Sequence, residues 1–412
     1  MCIRDSTQTM RVLRAGELVG EMPVRALVDD CPLYDLDPHK PAAPVYAAPV
    51  ASIAADAGAR EELLALLASP NLCSRRPLFE QYDSIVQSRT VRRPEQADAA
   101  VLVLPDGSAL GVSIDGNGRR VAADPYRGTI AAVLECAANL ACVGAEPLGT
   151  TNNLNFGNPE KPHIAWQLVE AVRGLGEACR ALEAPIVGGN VSLYNEGATG
   201  PIYPTPVIGM VGRLPDARRA GRLGFASEGD EIALVGPFDP SLDASELSKL
   251  RGEALPDGLP EFDLAAVRDA HLAIREAVRG GALSSVHDIA EGGIAIAAAE
   301  CCLAGGIGAL LELDPALASA AGLFGEGPGG FLVSGPAEAL ASLASTATVR
   351  RLGAVGGEAL VIGPIRDEDG ACGERGTRDG ERERPDGEDG TLVTISLAEL
   401  KGAHASLGEL LA

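Results

Sequence analysis

The chain has 412 residues, 46% of them hydrophobic, enough to bury the cores of two or three domains. Its 34 basic and 57 acidic residues leave a net charge of −23, which repels nucleic acid and an anionic membrane surface alike. Aromatics at 3% exclude a platform for stacking bases, and no run of roughly 18 apolar residues is present to span a bilayer. No signal-peptide pattern is read at the start. The nine cysteines show no C-x-x-C pair. Cys136, Cys142, Cys179, Cys301 and Cys302 lie in apolar helical text and read as buried free thiols of a reducing cytoplasm.

MCIRDS resembles translated sequencing-adapter text, so residues 1–10 read as non-native and the natural protein is expected to begin further upstream. RVLRAGELVGEMPVRALVDD, residues 11–30, predicts a hairpin and a short strand or helix. Residues 31–58 carry Pro32, Pro38, Pro41, Pro44 and Pro49 and read as a linker. An alternating α/β texture follows. REELLALLASP is a short helix, and AAVLVLPDGSALGVSID a hairpin about a PDG turn. A long helix spans Asp124 to Ala145, opened by an Asp cap and an early Pro. TNNLNFGNPEKP places Asn152, Asn153, Asn155 and Asn158 within seven residues and predicts a loop, since Asn favours neither helix nor strand.

Ile164, Leu168, Val172, Leu175, Cys179 and Leu182 recur at helical spacing. PIVGGNVSL predicts a buried strand entering a glycine turn, and IYPTPVIGMVGRL another strand. A boundary is expected at 215–228. Beyond it come the strand EIALVGPF, a helix through Leu264, Val267, His271, Ile274 and Val278 closed by Gly280–Gly281, and the strand LSSVHDI. GGIAIAAAECCLAGG is a glycine-bounded helix, GALLELD a strand, and FGEGPGG a turn before a last buried strand. Residues 366–391 are almost devoid of apolar side chains and read as a solvated, disordered loop before a final strand and helix.

Three motifs carry chemistry. In VGGNVSLYNE, Gly188 and Gly189 permit close backbone approach, Asn190 can offer an oxygen to Mg²⁺, and Ser192 can hydrogen-bond a ligand. A tight packed turn explains the same residues equally well. VHDIAEGG sets His287, Asp288 and Glu291 before a helix start, as acid–base or metal chemistry would. The reading taken is a polar junction, with His287 and Asp288 bonded to backbone. In SIDGNGRR, Asp115 and Asn117 can ligate a cation, against a reading as a hairpin exit with surface arginines Arg119 and Arg120. His271 reads as a satisfied core histidine. No Walker A motif or Rossmann fingerprint is present.

Longer stretches carry a resemblance. DPYRGTIAAVLECAANLACVGAEPL, TNNLNFGNPEKPHIAWQLVEAV and PIVGGNVSLYNE, with SPNLCSRRPLFEQYDSIVQ and VHDIAEGGIAIAAAECCLAGG, resemble the PurL (phosphoribosylformylglycinamidine synthase) family from about Arg11 onward. The resemblance implies a PurM-like N-terminal-type α/β domain followed by a PurM-like C-terminal-type α+β domain, as the second copy of a tandem duplication. Residues 11–70 would be the tail of a preceding PurM-C-like domain plus the Pro/Ala linker. Residues 71–215 would form the α/β domain, and 216–412 the α+β domain with its charged loop.

The implied reaction converts formylglycinamide ribonucleotide to its amidine, using ATP, Mg²⁺ and ammonia from glutamine. A glutaminase subunit PurQ, a small subunit PurS and an N-terminal half of the same protein are the implied partners. No catalytic residue is carried over, because the family's catalytic histidines lie in the first copy. Asn152 and Gly189 match ATP-binding positions, Asn190 a metal ligand and Ser192 a substrate contact. Asn152 departs from the usual aspartate, and Gly327–Pro328 from a polar pair. Two rivals are kept: an auxiliary nucleotide-binding half without chemistry of its own, and another ATP-dependent enzyme of the PurM superfamily. Self-association of the isolated chain is expected through the helices 124–145 and 164–182.

Overall fold

A computed structural model describes residues 8–30, 34–365 and 390–408. The charged stretch expected to be a loop lies outside the described residues from 366 to 389. The chain divides into two compact units, Met1–Asp37 and Pro38–Ala412. In the first, β1 (Thr9–Arg14) and β2 (Glu17–Pro23) form an antiparallel hairpin followed by α1 (Val24–Val28), as the sequence predicts. Its strands are exposed on both faces.

The second unit opens with α2 (Ala59–Leu67) and α3 (Arg76–Phe79). A first module follows: β3 (Thr90–Arg92), β4 (Ala100–Val103), β5 (Ala109–Asp115), α4 (Gly118–Ala123), α5 (Pro125–Cys142), β6 (Glu146–Asn155), α6 (Pro162–Ala181), β7 (Ile186–Ser192), a small ribbon of β8 (Glu196–Gly197) and β9 (Gly200–Pro201), and β10 (Thr205–Leu214). Six of these strands form one sheet in the order β3-β4-β5-β10-β6-β7. Only the β6–β7 pair is parallel, and α6 makes the crossover such a pair requires.

The second module comprises β11 (Glu231–Val235), α7 (Glu246–Leu250), α8 (Leu264–Gly280), β12 (Ser285–Asp288), α9 (Gly293–Gly305), β13 (Ala309–Leu313), α10 (Ala320–Phe324), β14 (Phe331–Gly335), α11 (Ala337–Leu343), β15 (Val349–Val355), β16 (Ala359–Pro364), β17 (Val393–Ser396) and α12 (Leu397–His404). Its seven strands run β12-β14-β11-β15-β13-β16-β17. An α/β module followed by an α+β module is the expected fold class.

Helix boundaries follow local chemistry. Asp124 caps α5 by accepting from the Arg127 amide at 2.9 Å, with Pro125 at the first position. Asp263 caps α8 through the Ala265 and Ala266 amides, and Gly281, at φ 70°, ends it in the left-handed conformation. Helix α5 is buried along most of its length. Its Ile130, Val133 and Leu140 pack with α6 and the first sheet, while Ala138, Ala141 and Cys142 pack with α8 and the second.

Three expectations change. Residues 151–155 are not a loop: they complete β6, because the β10 and β7 partners supply the backbone bonds that asparagine side chains cannot enforce. Strand β7 is not buried; it is the exposed outer edge of the sheet. The arginines of SIDGNGRR are not on the surface: Arg119 and Arg120 sit buried in α4. The Pro/Ala stretch runs along both modules. His39 N bonds Pro162 O at 3.1 Å, Tyr46 Oη bonds Ile202 O at 2.9 Å, and Ser52 N bonds Leu250 O at 2.8 Å.

Helices α5 and α6 cover one face of the six-stranded sheet, and among the described residues the other is open. Leu102, Val112, Ile114 and Val211 are exposed there, with Ile114 at 74%. The expected self-association finds its exposed apolar surface on this sheet face, because most of α5 and the inner side of α6 are buried. His271 is in the core, against the Phe331 ring at 5.6 Å, but neither ring nitrogen has a hydrogen-bond partner among the described residues. Burial, helped by the nearby Arg275 charge, lowers its pKa to about 4.

Two outcomes follow. The wild-type chain self-associates with rising concentration in light scattering, and Ile114→Lys with Val211→Lys keeps it monomeric. For His271, the unfolded imidazole titrates near 6.5 and the folded one near 4, so folding loses stability as pH falls between those values. Denaturant titrations of His271→Leu should recover up to about 3 kcal/mol of that acid-side loss.

Candidate functional site

The asparagine-rich edge and the acidic junction of the two modules are separate places. At the edge, β6 and β7 pair in register, Asn152 opposite Gly189, Asn153 opposite Asn190 and Asn155 opposite Ser192. Alternation divides the four candidate residues between two faces. Asn190 and Ser192 lie on the open face with Asn153 and Asn155, next to the apolar patch. Asn152 and Gly189 share the opposite face. A side chain at Gly189 would begin 2.9 Å from Asn152 Oδ1, so the glycine makes room for that amide. Asn190 Nδ2 donates to Asn153 Oδ1 at 3.0 Å, which leaves the Asn190 carbonyl oxygen for another partner. Asn155 Nδ2 donates to the carbonyls of Asn153 and Thr205. The amides thus first tie together the strands that carry them. Asn153 was not singled out as a site residue, yet it orients Asn190.

At the junction, SIDGNGRR and VHDIAEGG come together. Asn117 Nδ2 donates to Glu291 Oε1 at 2.8 Å, and Asn139 Nδ2 to Asp115 Oδ2 at 3.3 Å. Glu135 on α5 faces Asp288, Glu291 and Glu326 across a cavity of about 30 Å³. Glu326 Oε1 accepts from the Glu246 and Gly292 amides, while Oε2 is buried without a hydrogen-bond partner, 3.7 Å from Arg120.

His287 and Asp288 are not bonded to backbone as expected. His287 Nδ1 lies 2.6 Å from Asp98 Oδ1 and Nε2 lies 3.0 Å from Glu300 Oε2, a bridge from the first module to the second. Burial alone would lower the imidazole pKa, but Asp98 and Glu300 outweigh it and hold it well above the ordinary value.

The carboxylates show the opposite stress. Burial raises Asp115 to about 7, with the Glu291 charge adding to it. Burial likewise raises Glu326 to about 8, opposed by Arg120. Glu135 and Asp288 are pushed well above the ordinary carboxyl range by burial and by Asp115 and Asp98 respectively. Asp98, Cys142 and Asp288 also hold ligand atoms within 4.8 Å of one another. The carboxyls of Asp115, Glu135, Asp288 and Glu326, hard oxygen donors that resist ionisation unless a positive charge arrives, fit Mg²⁺ by chemistry, whereas the Cys142 thiol does not. The neutral amides around Asn190 bring such an ion oxygens but no compensating charge. The signal for Glu135 was available: it is a lone acid in the apolar helix text AAVLECAANLAC.

Two family descriptions match in tandem: AIR synthase related protein, N-terminal domain, over residues 96–214, and AIR synthase related protein, C-terminal domain, over residues 227–370. A phosphoribosylformylglycinamidine synthase subunit PurL from Moorella thermoacetica is 42% identical over 361 residues, covering 86% of this chain and 49% of that protein. The chain belongs to the PurL family of AIR synthase-related proteins. The PurL subunit of Allorhizobium ampelinum is 41% identical over 406 residues, with 96% of this chain and 50% of that protein covered. The chain thus spans about half the length of these PurL relatives. T. maritima PurL complexed with FGAR shares the fold at a TM-score of 0.64 and 14% identity, covering 82% of this chain and 52% of that one. T. maritima PurL complexed with ATP does so at 0.53 and 22%, covering 85% and 49%.

The raised carboxyls predict a pH dependence. Unfolded, Asp115 and Glu326 ionise near 3.8 and 4.5; folded, they hold their protons to about 7 and about 8. The folded chain binds more protons, so stability falls as pH rises from about 4 to about 8. Thermal unfolding of Asp115→Asn with Glu326→Gln should show this fall flattened. Mg²⁺ should raise the Tm of the wild type more at the alkaline end, and that of the variant hardly at all.

Proposed function

We propose that this chain is the second AIR synthase-type half of a phosphoribosylformylglycinamidine synthase. In that reaction ATP phosphorylates the amide oxygen of formylglycinamide ribonucleotide. Ammonia then attacks the iminophosphate carbon, the C–N bond forming as the C–O bond to phosphate breaks. The observation that carries the reading is the 42% identity to a PurL subunit, sustained across both modules. T. maritima PurL is known in complexes with FGAR and with ATP, and as part of PurLQS. We extend these to this chain as ATP, formylglycinamide ribonucleotide, and the PurQ and PurS subunits, working in the cytoplasm.

In this reading the amide edge is one wall of the reacting site. Asn190 lends its free oxygen to Mg²⁺ at the nucleotide phosphates, Gly189 and Asn152 border the ATP, and Ser192 meets the ribonucleotide. The chain supplies positions and hydrogen bonds, and the other half of the synthase supplies the general base. That half covers the open sheet face, whose apolar patch adjoins the amides. A repeated order supports the division at residues 11–70, 71–215 and 216–412: strand, strand and helix in β1-β2-α1 recur as β16-β17-α12 at the far end. The hairpin would then be the closing edge of a preceding seven-stranded sheet. The acidic junction favours a second, auxiliary role, a Mg²⁺-dependent site for nucleotide without chemistry of its own, since its buried carboxyls call for a cation.

The test mixes this chain with the separately produced N-terminal half of the Moorella thermoacetica PurL and measures ADP release dependent on formylglycinamide ribonucleotide and ammonia. Turnover is expected only in the mixture, and Asn190→Ala should lower it at least about tenfold. Turnover unchanged by Asn190→Ala would leave the chain a structural half.

A further inference from the structure

Ser192 is the last residue of an edge strand, and no further strand pairs with β7 among the described residues. A hydroxyl in such a place rotates freely and selects no ligand unless something fixes it. The chain reverses directly after it. Tyr194 takes a positive φ of 60°, its amide bonding Gly157 O at 2.9 Å, and this turn folds Asn195 back over Ser192.

The half-buried Asn195 amide then reaches three acceptors through Nδ2: Phe156 O at 3.1 Å, Ser192 O at 2.9 Å and Ser192 Oγ at 3.1 Å. Its Oδ1 accepts from Ser192 Oγ at 3.3 Å. Backbone bonds close the knot: Asn195 N to Phe156 O at 3.1 Å, Phe156 N to Ser192 O at 3.0 Å and Ile202 N to Asn195 O at 3.1 Å.

We propose that Asn195 is a positioning residue that fixes the Ser192 hydroxyl as an acceptor for an N–H or O–H group of the ribonucleotide. The inference rests on the reading of Ser192 as a substrate contact. The hydroxyl proton is directed to Asn195 Oδ1 and one oxygen lone pair accepts from Nδ2, so the lone pair left to the open face receives a donor. A ribose hydroxyl or an amide N–H fits that requirement. A fully ionised phosphate, which only accepts, does not. An amide does both tasks from this position, whereas aspartate keeps an acceptor for the hydroxyl but loses the donor and sets a charge against two carbonyl oxygens, and alanine does neither.

The experiment has two arms. The first needs no ligand and uses the chain alone. Hydrogen exchange at the Phe156 amide, which donates to Ser192 O, should quicken about tenfold or more in Asn195→Ala and stay unchanged in Ser192→Ala. Unchanged protection in Asn195→Ala overturns the positioning role, whatever the substrate turns out to be. The second arm uses the mixture with the N-terminal half. Asn195→Ala and Ser192→Ala should each raise the KM for formylglycinamide ribonucleotide about tenfold with little change in kcat. The double variant should be no worse than Ser192→Ala, because both remove one interaction. Additive losses, or a fall in kcat alone, overturn the acceptor role. If quickened exchange accompanies a wild-type KM that Ser192→Ala does not change, the reading of Ser192 as a substrate contact fails. Asn195 is then left as a holder of the strand end only, and the proposal falls with it.

Discussion

A carboxylate in the middle of an apolar helix is the constraint around which this chain is arranged. Glu135 stands on α5, whose neighbouring residues pack into the cores of both modules. Such a helix is held by hydrophobic contact on every side, and that contact strips water from the acid it carries. Asp288, Glu291 and Glu326 line the same small cavity from β12, the turn before α9 and the turn before β14, and Asp115 on β5 presses its charge on Glu135 beside it. The two sheets can therefore meet closely only where negative charge is either neutralised by protons or answered by a cation. The His287 bridge to Asp98 and Glu300 shows the second solution in protein form, one imidazolium set between carboxylates of the two modules.

The amide edge solves a different problem. There the strands are exposed, the dielectric is high, and no charge needs to be answered. Asparagines bond to one another and to backbone carbonyls, fixing the geometry of a surface without giving it a sign. A neutral, ordered wall of this kind suits polyanionic ligands whose charge is handled elsewhere, and it lies beside an apolar face that remains to be covered.

Much of this was legible in the residues. The helices α5, α6, α8 and α9 announce themselves by caps, periodicity and closing glycines, and the buried strands β11 and β14 by their apolar runs. The family resemblance rests on long motifs, and the tandem AIR synthase-related domains bear it out. What failed did so for tertiary reasons. Asn152 to Asn155 read as a loop because asparagine has little intrinsic strand preference, and two neighbouring strands overrode it. Arg119 and Arg120 read as surface residues because arginine usually is, yet α4 turns them into the junction, where Ser248 Oγ and the Glu253 carbonyl receive one guanidinium. Burial of β7 was inferred from PIV and missed that the crossover leaves this strand outermost. The acidic junction could not be read as a whole, since its members are scattered from Asp98 to Glu326 and only folding brings them together.

The outermost position of β7 has a consequence for how such a chain survives on its own. Its far side pairs with no other strand among the described residues, the kind of edge on which another strand, native or not, can add and continue as fibrillar aggregate. Gly188, Gly189 and Asn190 at its centre are among the poorest residues for propagating such a ladder. The composition of this strand therefore works as a brake on amyloid-like growth, so that the three residues which leave its backbone open to close approach also disfavour the addition of another strand.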